Sequence, residues 1–227
     1  MTDFADAARQ TTRALRDLFP RTPMQRNDFL SRKYGAEIWL KREDLSPVRS
    51  YKLRGAYNAM RKVRTSHPDQ GHFVCASAGN HAQGVALAAG RRGIPAVIVM
   101  PLTTPRIKVR AVIDLGGEVL LHGDDYDAAC DHALGLARDR NLVFVHPFDD
   151  PDVIAGQGTI AMEMLRQLQS LGSNRLDAVF VAIGGGGLIA GISAYVKQVR
   201  PDIKIIGVQH DESTAMADSL RAGHLVQ

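Results

Sequence analysis

Two cysteines in 227 residues are too few for a disulfide framework or for a zinc site built from several thiolates. Aromatic residues make up only 6% of the chain, and basic residues outnumber acidic ones by 28 to 24. Nucleic-acid binders concentrate positive charge on one face together with stacking aromatics, whereas the basic residues here are scattered along the chain. The composition therefore predicts no nucleic-acid partner.

The chain also lacks a long apolar run. No stretch approaches the ~20 apolar residues that a membrane-spanning helix needs, and the first six residues (MTDFAD) are acidic before they are apolar, unlike a secretory signal. We therefore expect no membrane partner and a cytoplasmic location. Hydrophobic residues at 45% and charged residues at 23% are ordinary globular values, which allow one sizeable core or two small lobes.

From residue 36 onward, short β-branched runs alternate with longer amphipathic stretches, which predicts an α/β fold of parallel strands joined by crossover helices. Most of the runs are apolar throughout, as expected for a sheet covered on both faces. The predicted strands are Glu37–Lys41, His72–Ala76, Ala96–Met100, Glu118–Leu121, Leu142–Val145, Ala178–Ile183 and Lys204–Val208. The predicted helices are Asp3–Leu18, Lys52–Val63, Ala82–Arg91, Ile107–Leu115, Tyr126–Arg138, Val153–Leu168 and Leu188–Val199.

The first chemically suggestive motif surrounds a lysine at the start of a predicted helix. A strand ends near Lys41, a loop follows, and Ser50 is suited to cap the helix that comes next. Lys52 then lies in the first helical turn, where the positive end of the helix dipole and any burial lower the pKa of its amine. A neutral amine is what Schiff-base chemistry requires. Position alone favours the simpler interpretation, a surface lysine at a helix start.

Two further motifs suit the binding of anions. The segment Ser77-Ala-Gly-Asn-His81 lies between a strand and a helix, where free backbone N–H groups suit a carboxylate or a phosphate, although an ordinary turn capped by Ser77 or Asn80 fits as well. Four consecutive glycines begin at Gly184, directly after an apolar strand. In regular structure they cost roughly 2–4 kcal/mol relative to alanine, which close approach of a phosphate to the backbone would explain.

A dinucleotide-binding fingerprint fits the glycine run poorly. The third glycine of G-x-G-x-x-G would fall at position 189, which is isoleucine. The next strand runs into Gln209 rather than into the acid that would hold a ribose.

Together the motifs resemble the pyridoxal-phosphate (PLP) dependent serine/threonine dehydratase family, most closely the biosynthetic type of threonine ammonia-lyase (threonine dehydratase). The lysine signature Ser50-Tyr-Lys-Leu-Arg-Gly-Ala56, the Ser77–His81 loop and the glycine loop occur in the family's order. Further matches are Thr22-Pro23 and Ile154–Thr159, so the likeness runs from about residue 20 to the end. The family usually has phenylalanine at the position of Tyr51.

The resemblance implies PLP as cofactor and the fold-type-II architecture of the tryptophan-synthase-β kind, with two lobes that each hold a mainly parallel sheet. Residues 1–50 and 148–227 would form the larger lobe and residues 51–147 the smaller one, with a crossing near 147–151. The family's catalytic part is longer than this chain, so the C-terminal part of the larger lobe and a regulatory domain are expected to be missing. The apolar surface exposed in this way leads us to expect a homo-oligomer.

The resemblance also assigns roles to individual residues. Lys52 would bind PLP covalently, be displaced by the substrate amine and then remove the Cα proton. The implied cofactor-binding residues are Tyr51, Lys52, Asn80, Gly184, Gly185, Gly186, Gly187 and Leu188. The implied substrate-binding residues are Ser77, Ala78, Gly79, Asn80 and His81. No metal is expected, because Gln209 stands where some relatives have a metal-binding glutamate.

The implied reaction is β-elimination from L-threonine, and from L-serine, to 2-oxobutanoate or pyruvate and ammonia, a step of amino-acid metabolism such as isoleucine biosynthesis. Ala78 stands where related serine racemases carry a serine as second base, which favours elimination over racemisation. Lys41-Arg-Glu-Asp44 and the Ser77–His81 loop favour a dehydratase over a β-replacement sulfhydrylase. Serine racemase, a sulfhydrylase and a truncated, non-catalytic PLP-binding protein remain as alternatives.

Overall fold

The computed structural model of the chain describes residues 4–67, 71–173 and 175–226, and has the predicted α/β fold class. Its strands are β1 (Met24–Arg26), β2 (Trp39–Lys41), β3 (Phe73–Ala76), β4 (Ala96–Met100), β5 (Glu118–Leu121), β6 (Val143–Phe144), β7 (Ala178–Ala182) and β8 (Lys204–Val208). Its helices are α1 (Phe4–Leu15), α2 (Asp28–Tyr34), α3 (Lys52–Ser66), α4 (Asn80–Gly90), α5 (Arg106–Asp114), α6 (Tyr126–Asp139), α7 (Pro151–Ser170), α8 (Gly187–Val199) and α9 (Ala215–Ala222). A 3-10 turn spans Glu43–Leu45.

A four-stranded parallel sheet in the order β5-β4-β3-β6 forms the centre of the middle part of the chain. Alternate residues of β3 point to opposite sides of this sheet. Phe73 and Cys75 pack with α3 and α4, whereas Val74 and Ala76 pack with α6. Because both faces are covered, the strand is apolar throughout, as the sequence predicts.

The second parallel sheet contains β7 and β8, with Ala178 opposite Lys204. Val181 of β7 packs into a core formed with α1, α7 and α8. On these two strands, Phe180 is 70% exposed and Val208 is 52% exposed. One face of this small sheet is therefore apolar and open.

Each predicted strand and helix has a counterpart in the structure, but the first strand is shorter than predicted and pairs with an unpredicted one. β2 begins at Trp39 and runs antiparallel to β1. Glu37 and Ile38 lie outside the strand, and the Ile38 N–H instead donates to Ser31 Oγ at 3.0 Å. Helices α2 and α9 were not predicted. The predicted start of α1 at Asp3 lies outside the described residues.

Helix α7 packs against both α3 and α8 through glycines. A Cβ on Gly156 would lie 2.6 Å from Gly55 Cα, so α3 and α7 approach backbone to backbone. A Cβ on Gly158 would lie 3.0 Å from the carbonyl oxygen of Gly191 in α8. Glycine at these positions permits both close crossings, which accounts for the Ile154–Thr159 motif.

Among the residues that the structure describes, no helix is both long enough and apolar enough to cross a membrane.

Candidate functional site

Lys52 is the first residue of α3 and is half-buried. Its Nζ donates a hydrogen bond to the carbonyl oxygen of Pro147 at 2.6 Å and lies 5.6 Å from the centre of the Tyr51 ring. Burial lowers the pKa of the Lys52 amine. Ser50 was the predicted N-cap residue of this helix, but Tyr51 occupies the N-cap position. Ser50 Oγ still accepts a hydrogen bond from the Lys52 N–H at 3.2 Å.

The Lys52 side chain and the glycine loop line the same small pocket. The structure thus brings together the lysine and the glycine run, which are far apart in the sequence. The lining residues are Tyr51, Lys52, Pro147, Phe148, Gln157, Ala182, Gly184, Gly185, Gly186, Gly187 and Leu188.

A larger cavity, of about 880 Å³, lies between α2 and β7 and is not the better candidate. Its walls are mostly apolar, with Tyr34, Trp39 and Phe180 among them, and they include no lysine, histidine, cysteine or serine. Size alone therefore does not identify the site, because the chemically capable groups line the smaller pocket.

The glycine loop leads directly into α8 and presents the N-terminus of this helix to the pocket. Gly186 is the N-cap residue, and no side chain caps this end of the helix. The first N–H groups of a helix have no intrahelical partner, and the helix dipole places partial positive charge there. The loop therefore suits an anion such as a phosphate.

Close packing against Phe148 is a second, structural reason why this loop consists of glycines. A Cβ on Gly185 would overlap the Phe148 ring, and one on Gly187 would lie 3.0 Å from Phe148 Cα. Gly186 has a φ of 90°, a backbone angle that residues with a side chain rarely adopt. Gly184 alone has open space around its missing Cβ. No sequence pattern indicated a role for Phe148 beyond its place in the proline-rich crossing between the predicted lobes.

The Ser77–His81 loop joins β3 to α4 close to the lysine. Helix α4 begins at Asn80, two residues before the predicted start, so Asn80 and His81 lie in its first turn. Ser77 Oγ accepts from the Gly79 N–H at 3.2 Å, and no side chain caps the helix. A Cβ on Gly84, one turn later, would lie 3.1 Å from the Lys52 carbonyl carbon. The loop thus adjoins Lys52, with Asn80 exposed and Ala78 half-buried.

His81 is buried and points away from solvent. Its Nε2 lies 2.8 Å from the carbonyl oxygen of Val145, to which the neutral ring donates in the corresponding tautomer. Burial, with smaller effects of Lys52 and His146, lowers the pKa of His81 to about 4. His81 therefore supports the segment that carries Pro147, and its predicted contact with substrate stays a prediction.

His81 should make the stability of the protein depend on pH. The unfolded chain binds a proton at His81 below its ordinary pKa of 6.5, whereas the folded protein binds it only near 4. Stability is therefore complete above pH 6.5 and decreases as the pH falls toward 4, by about 3 kcal/mol. Urea unfolding at pH 7 and pH 4 should show this loss in the parent and in H224Q, which changes an exposed histidine, but not in H81Q. An equal loss in H81Q would contradict it.

Gln209 stands where some relatives have a metal-binding glutamate, and its Oε1 accepts a hydrogen bond from the Ala217 N–H at 3.2 Å. Among the described residues, no cluster of three or more histidine, cysteine or acidic side chains could hold a metal ion.

Comparison with known proteins connects this geometry to a family. The profile of the family described as "Pyridoxal-phosphate dependent enzyme" matches residues 15–227. The chain is 56% identical over 201 residues to the biosynthetic L-threonine dehydratase IlvA of Burkholderia multivorans, which covers 87% of this chain and 39% of that protein. It is 54% identical over 210 residues to the biosynthetic, chloroplastic threonine dehydratase of Arabidopsis thaliana, covering 92% and 35%.

Solved structures agree with this assignment. The processed form of threonine deaminase isoform 2 from Solanum lycopersicum superposes with a TM-score of 0.91 at 45% identity, over 100% of this chain and 65% of that one. Maize serine racemase superposes with a TM-score of 0.90 at 30% identity, over 98% and 66%. The chain spans little more than a third of the length of the two dehydratases. The predictions of family, fold class and cofactor are confirmed, and the chain belongs to the family of pyridoxal-phosphate dependent enzymes.

Proposed function

We propose that the chain is the PLP-binding catalytic part of an enzyme that deaminates L-threonine, and also L-serine, by β-elimination to 2-oxobutanoate or pyruvate and ammonia. The observation that carries the proposal is a half-buried lysine amine and a glycine loop on one pocket. The identity to proteins named threonine dehydratase supports the choice of substrate.

The residues around the pocket fit PLP. The uncapped start of α8 offers N–H donors for the phosphate, and Gly184 leaves open space beside them. Gln157 lines the same pocket, and its Oε1 is buried without a hydrogen-bond partner among the described residues. Lys52, Tyr51, Asn80 and the loop from Gly184 to Leu188 would hold the cofactor.

Lys52 would act as the cofactor's attachment point and as the base. The bound cofactor supplies an electron sink for the carbanion at Cα. Burial lowers the pKa of the Lys52 amine, which favours the neutral form that can attack a carbonyl and accept the Cα proton at Nζ. The first N–H groups of α4, at Asn80 and His81, have no intrahelical partner and would orient the substrate carboxylate.

Elimination is favoured over racemisation because position 78 carries no proton donor. The methyl group of Ala78 cannot return a proton to Cα from the face opposite Lys52. Serine racemase stays the second candidate, since the maize enzyme shares the fold over nearly the whole chain.

The reaction is tested by oxo-acid release from L-threonine and L-serine, with chiral analysis of the remaining amino acid. The expected result is 2-oxobutanoate and pyruvate without D-isomer. A chain extended to the length of the named dehydratases should be far more active than these 227 residues, because the family resemblance implies that the partner of the cofactor's ring nitrogen lies in the part that this chain does not span. Rapid accumulation of D-serine would instead support the racemase.

Replacing Gly184 with alanine should weaken PLP binding without disturbing the fold. The new Cβ meets no protein atom within 4 Å, so its effect should fall on a ligand that approaches the loop. We expect the dissociation constant of PLP to rise at least ~10-fold, which corresponds to ~1.4 kcal/mol. G135A is the matched control, because Gly135 in α6 also has open space. Equal PLP affinity in G184A and the parent would refute the phosphate site.

We also propose the two-lobe division (1–50 with 148–227, and 51–147), a homo-oligomer and a cytoplasmic location. The division is supported by the separate sheets β5-β4-β3-β6 and β7-β8. Self-association is supported by exposed Phe180 and Val208 on β7 and β8. Light scattering after gel filtration tests the oligomer. Cell fractionation tests the location, since relatives named chloroplastic and mitochondrial also occur.

A further inference from the structure

Five charged side chains form a network with a buried centre on the helix that carries Lys52. At its centre, Arg54 is 0% exposed and Glu163 of α7 is 1% exposed. Arg54 donates from Nε and Nη2 to the two oxygens of Glu43, at 2.8 Å each, and from Nη1 and Nη2 to the two oxygens of Glu163, at 3.1 and 2.9 Å. Lys41 donates to Glu163 at 2.8 Å, and Arg16 also pairs with it.

The network connects separate parts of the chain. Arg16 directly follows α1, and the other members come from β2, the 3-10 turn, α3 and α7. Two buried threonines complete it, since Arg54 also donates to Thr159 Oγ1 at 3.1 Å and to Thr22 Oγ1 at 3.2 Å. The charges of Arg54 and Lys41 outweigh the effect of burial and lower the pKa of Glu163 to about 2, so this carboxylate stays charged.

Stability alone does not account for such a network. Removing charged groups from water is costly, and apolar side chains of similar volume often stabilise a core equally well. The planar guanidinium of Arg54 lies between two carboxylates and its donors form a rigid fork, so these hydrogen bonds fix the orientation of its side chain. The network therefore fixes the orientation of α3.

The orientation of α3 determines where the Lys52 amine points. Lys52 and Arg54 are two residues apart, which is about 200° around the helix, so their side chains leave from nearly opposite faces. Arg54 enters the network, while the Lys52 Nζ reaches Pro147 and the pocket. A helix held on one face by this fork cannot turn without displacing the amine on the other.

We propose that Arg54 and Glu163 are positioning residues that aim the Lys52 amine at the cofactor pocket. This inference rests on the proposed role of Lys52 in holding PLP. It assigns to the Arg of the lysine signature a task distinct from contact with cofactor or substrate. A misplacement of about 1 Å at a reacting group can cost on the order of 100-fold in rate.

The experiment measures how PLP attaches to R54K and E163Q, using two readouts besides turnover. The first is the rate of covalent attachment to the apoprotein at saturating PLP, and the second is the visible circular dichroism per bound PLP, which reports a fixed orientation. We expect attachment to be ~10–100-fold slower and the dichroism to fall at least ~2-fold, with full attachment at equilibrium. R54K keeps the charge and loses the fork, and E163Q keeps the shape and loses the charge.

Two controls separate positioning from general loss of stability. I160A removes buried apolar volume from the same helix as Glu163 without touching the network, and D44N changes the exposed Arg42–Asp44 pair. Both should attach PLP at the parent's rate with the parent's dichroism. If I160A shows the same changes as R54K, the network is only structural. If R54K and E163Q match the parent, the proposal is overturned.

Folding failure and failure of the underlying function are distinguished within the same set. If E163Q does not fold, the proposal is tested with R54K and T159V, because T159V removes one hydrogen bond of Arg54. If both of these variants attach PLP at the parent's rate and with the parent's dichroism, the proposal is overturned. A label on a lysine other than Lys52 in the parent refutes the proposed function itself. A label on Lys52 with unchanged network variants refutes only the positioning.

Discussion

Lys52→Ala is expected to abolish covalent PLP attachment and to lower amino-acid deamination at least ~10³-fold. The variant lacks both the amine that holds the cofactor and the base for the Cα proton, and loss of a positioned base alone typically costs 10²–10⁴-fold. In the parent, borohydride should fix the cofactor to the peptide that contains residue 52. The measurements are visible absorbance after adding PLP, mass mapping of the reduced protein and oxo-acid release.

The matched control is Lys62→Ala in the same helix. Lys62 pairs with Asp152 near the surface, and such pairs contribute little to stability. K62A should bind PLP and turn over like the parent. Lys52→Arg keeps a positive charge at residue 52 but cannot form the linkage, so it should fail as K52A does. A covalent label on K52A would show that another lysine holds the cofactor.

Gly156→Ala is expected to destabilise the protein by at least ~3 kcal/mol. The new Cβ would lie 2.6 Å from Gly55 Cα and would also overlap the Arg54 carbonyl group, so the α3–α7 crossing must open. Overpacking usually costs 1–3 kcal/mol, and backbone atoms cannot move aside as the end of a flexible side chain can. Alanine favours an isolated helix over glycine by roughly 0.5–1 kcal/mol, so any loss measured is steric.

Urea unfolding of the parent, G156A and G135A measures the effect. G135A makes the same substitution inside α6, where the structure leaves open space, so it should be as stable as the parent or slightly more stable. A free energy of unfolding for G156A within ~0.5 kcal/mol of the parent would show that the two helices do not cross as closely as described.

The main strands and helices were predictable because their periodicity is long and regular. The elements that sequence reasoning missed are short or lie outside that pattern. β1 has three residues, too few for an alternating pattern, and pairs with β2 only through the folded chain. Helix α2 depends on local capping, with Asn27 Oδ1 accepting from the Leu30 N–H at 2.9 Å and Gly35 at φ 61° closing it.

The candidate site was predictable in its parts and not in its packing. The lysine and both loops could be found because their residue types are unusual at those positions. The burial of Arg54 could not, because a lysine signature rich in charge has the composition of a solvated helix start, and its partners Glu43 and Glu163 are distant in sequence. Phe148 was missed because only the folded chain brings its ring against Gly185.

Helix α7 contacts its two neighbours through backbone atoms, with Gly156 against α3 and Gly158 against α8. Lys52 is the first residue of α3, and the glycine loop leads into α8. These two helix contacts therefore determine the distance between the Lys52 amine and the glycine loop. Contacts between backbone atoms cannot adjust by a change of side-chain rotamer, so they hold the distance between two helices within narrow limits. The apolar residues of the surrounding cores can therefore diverge widely during evolution, while the distance between the lysine amine and the glycine loop stays constant.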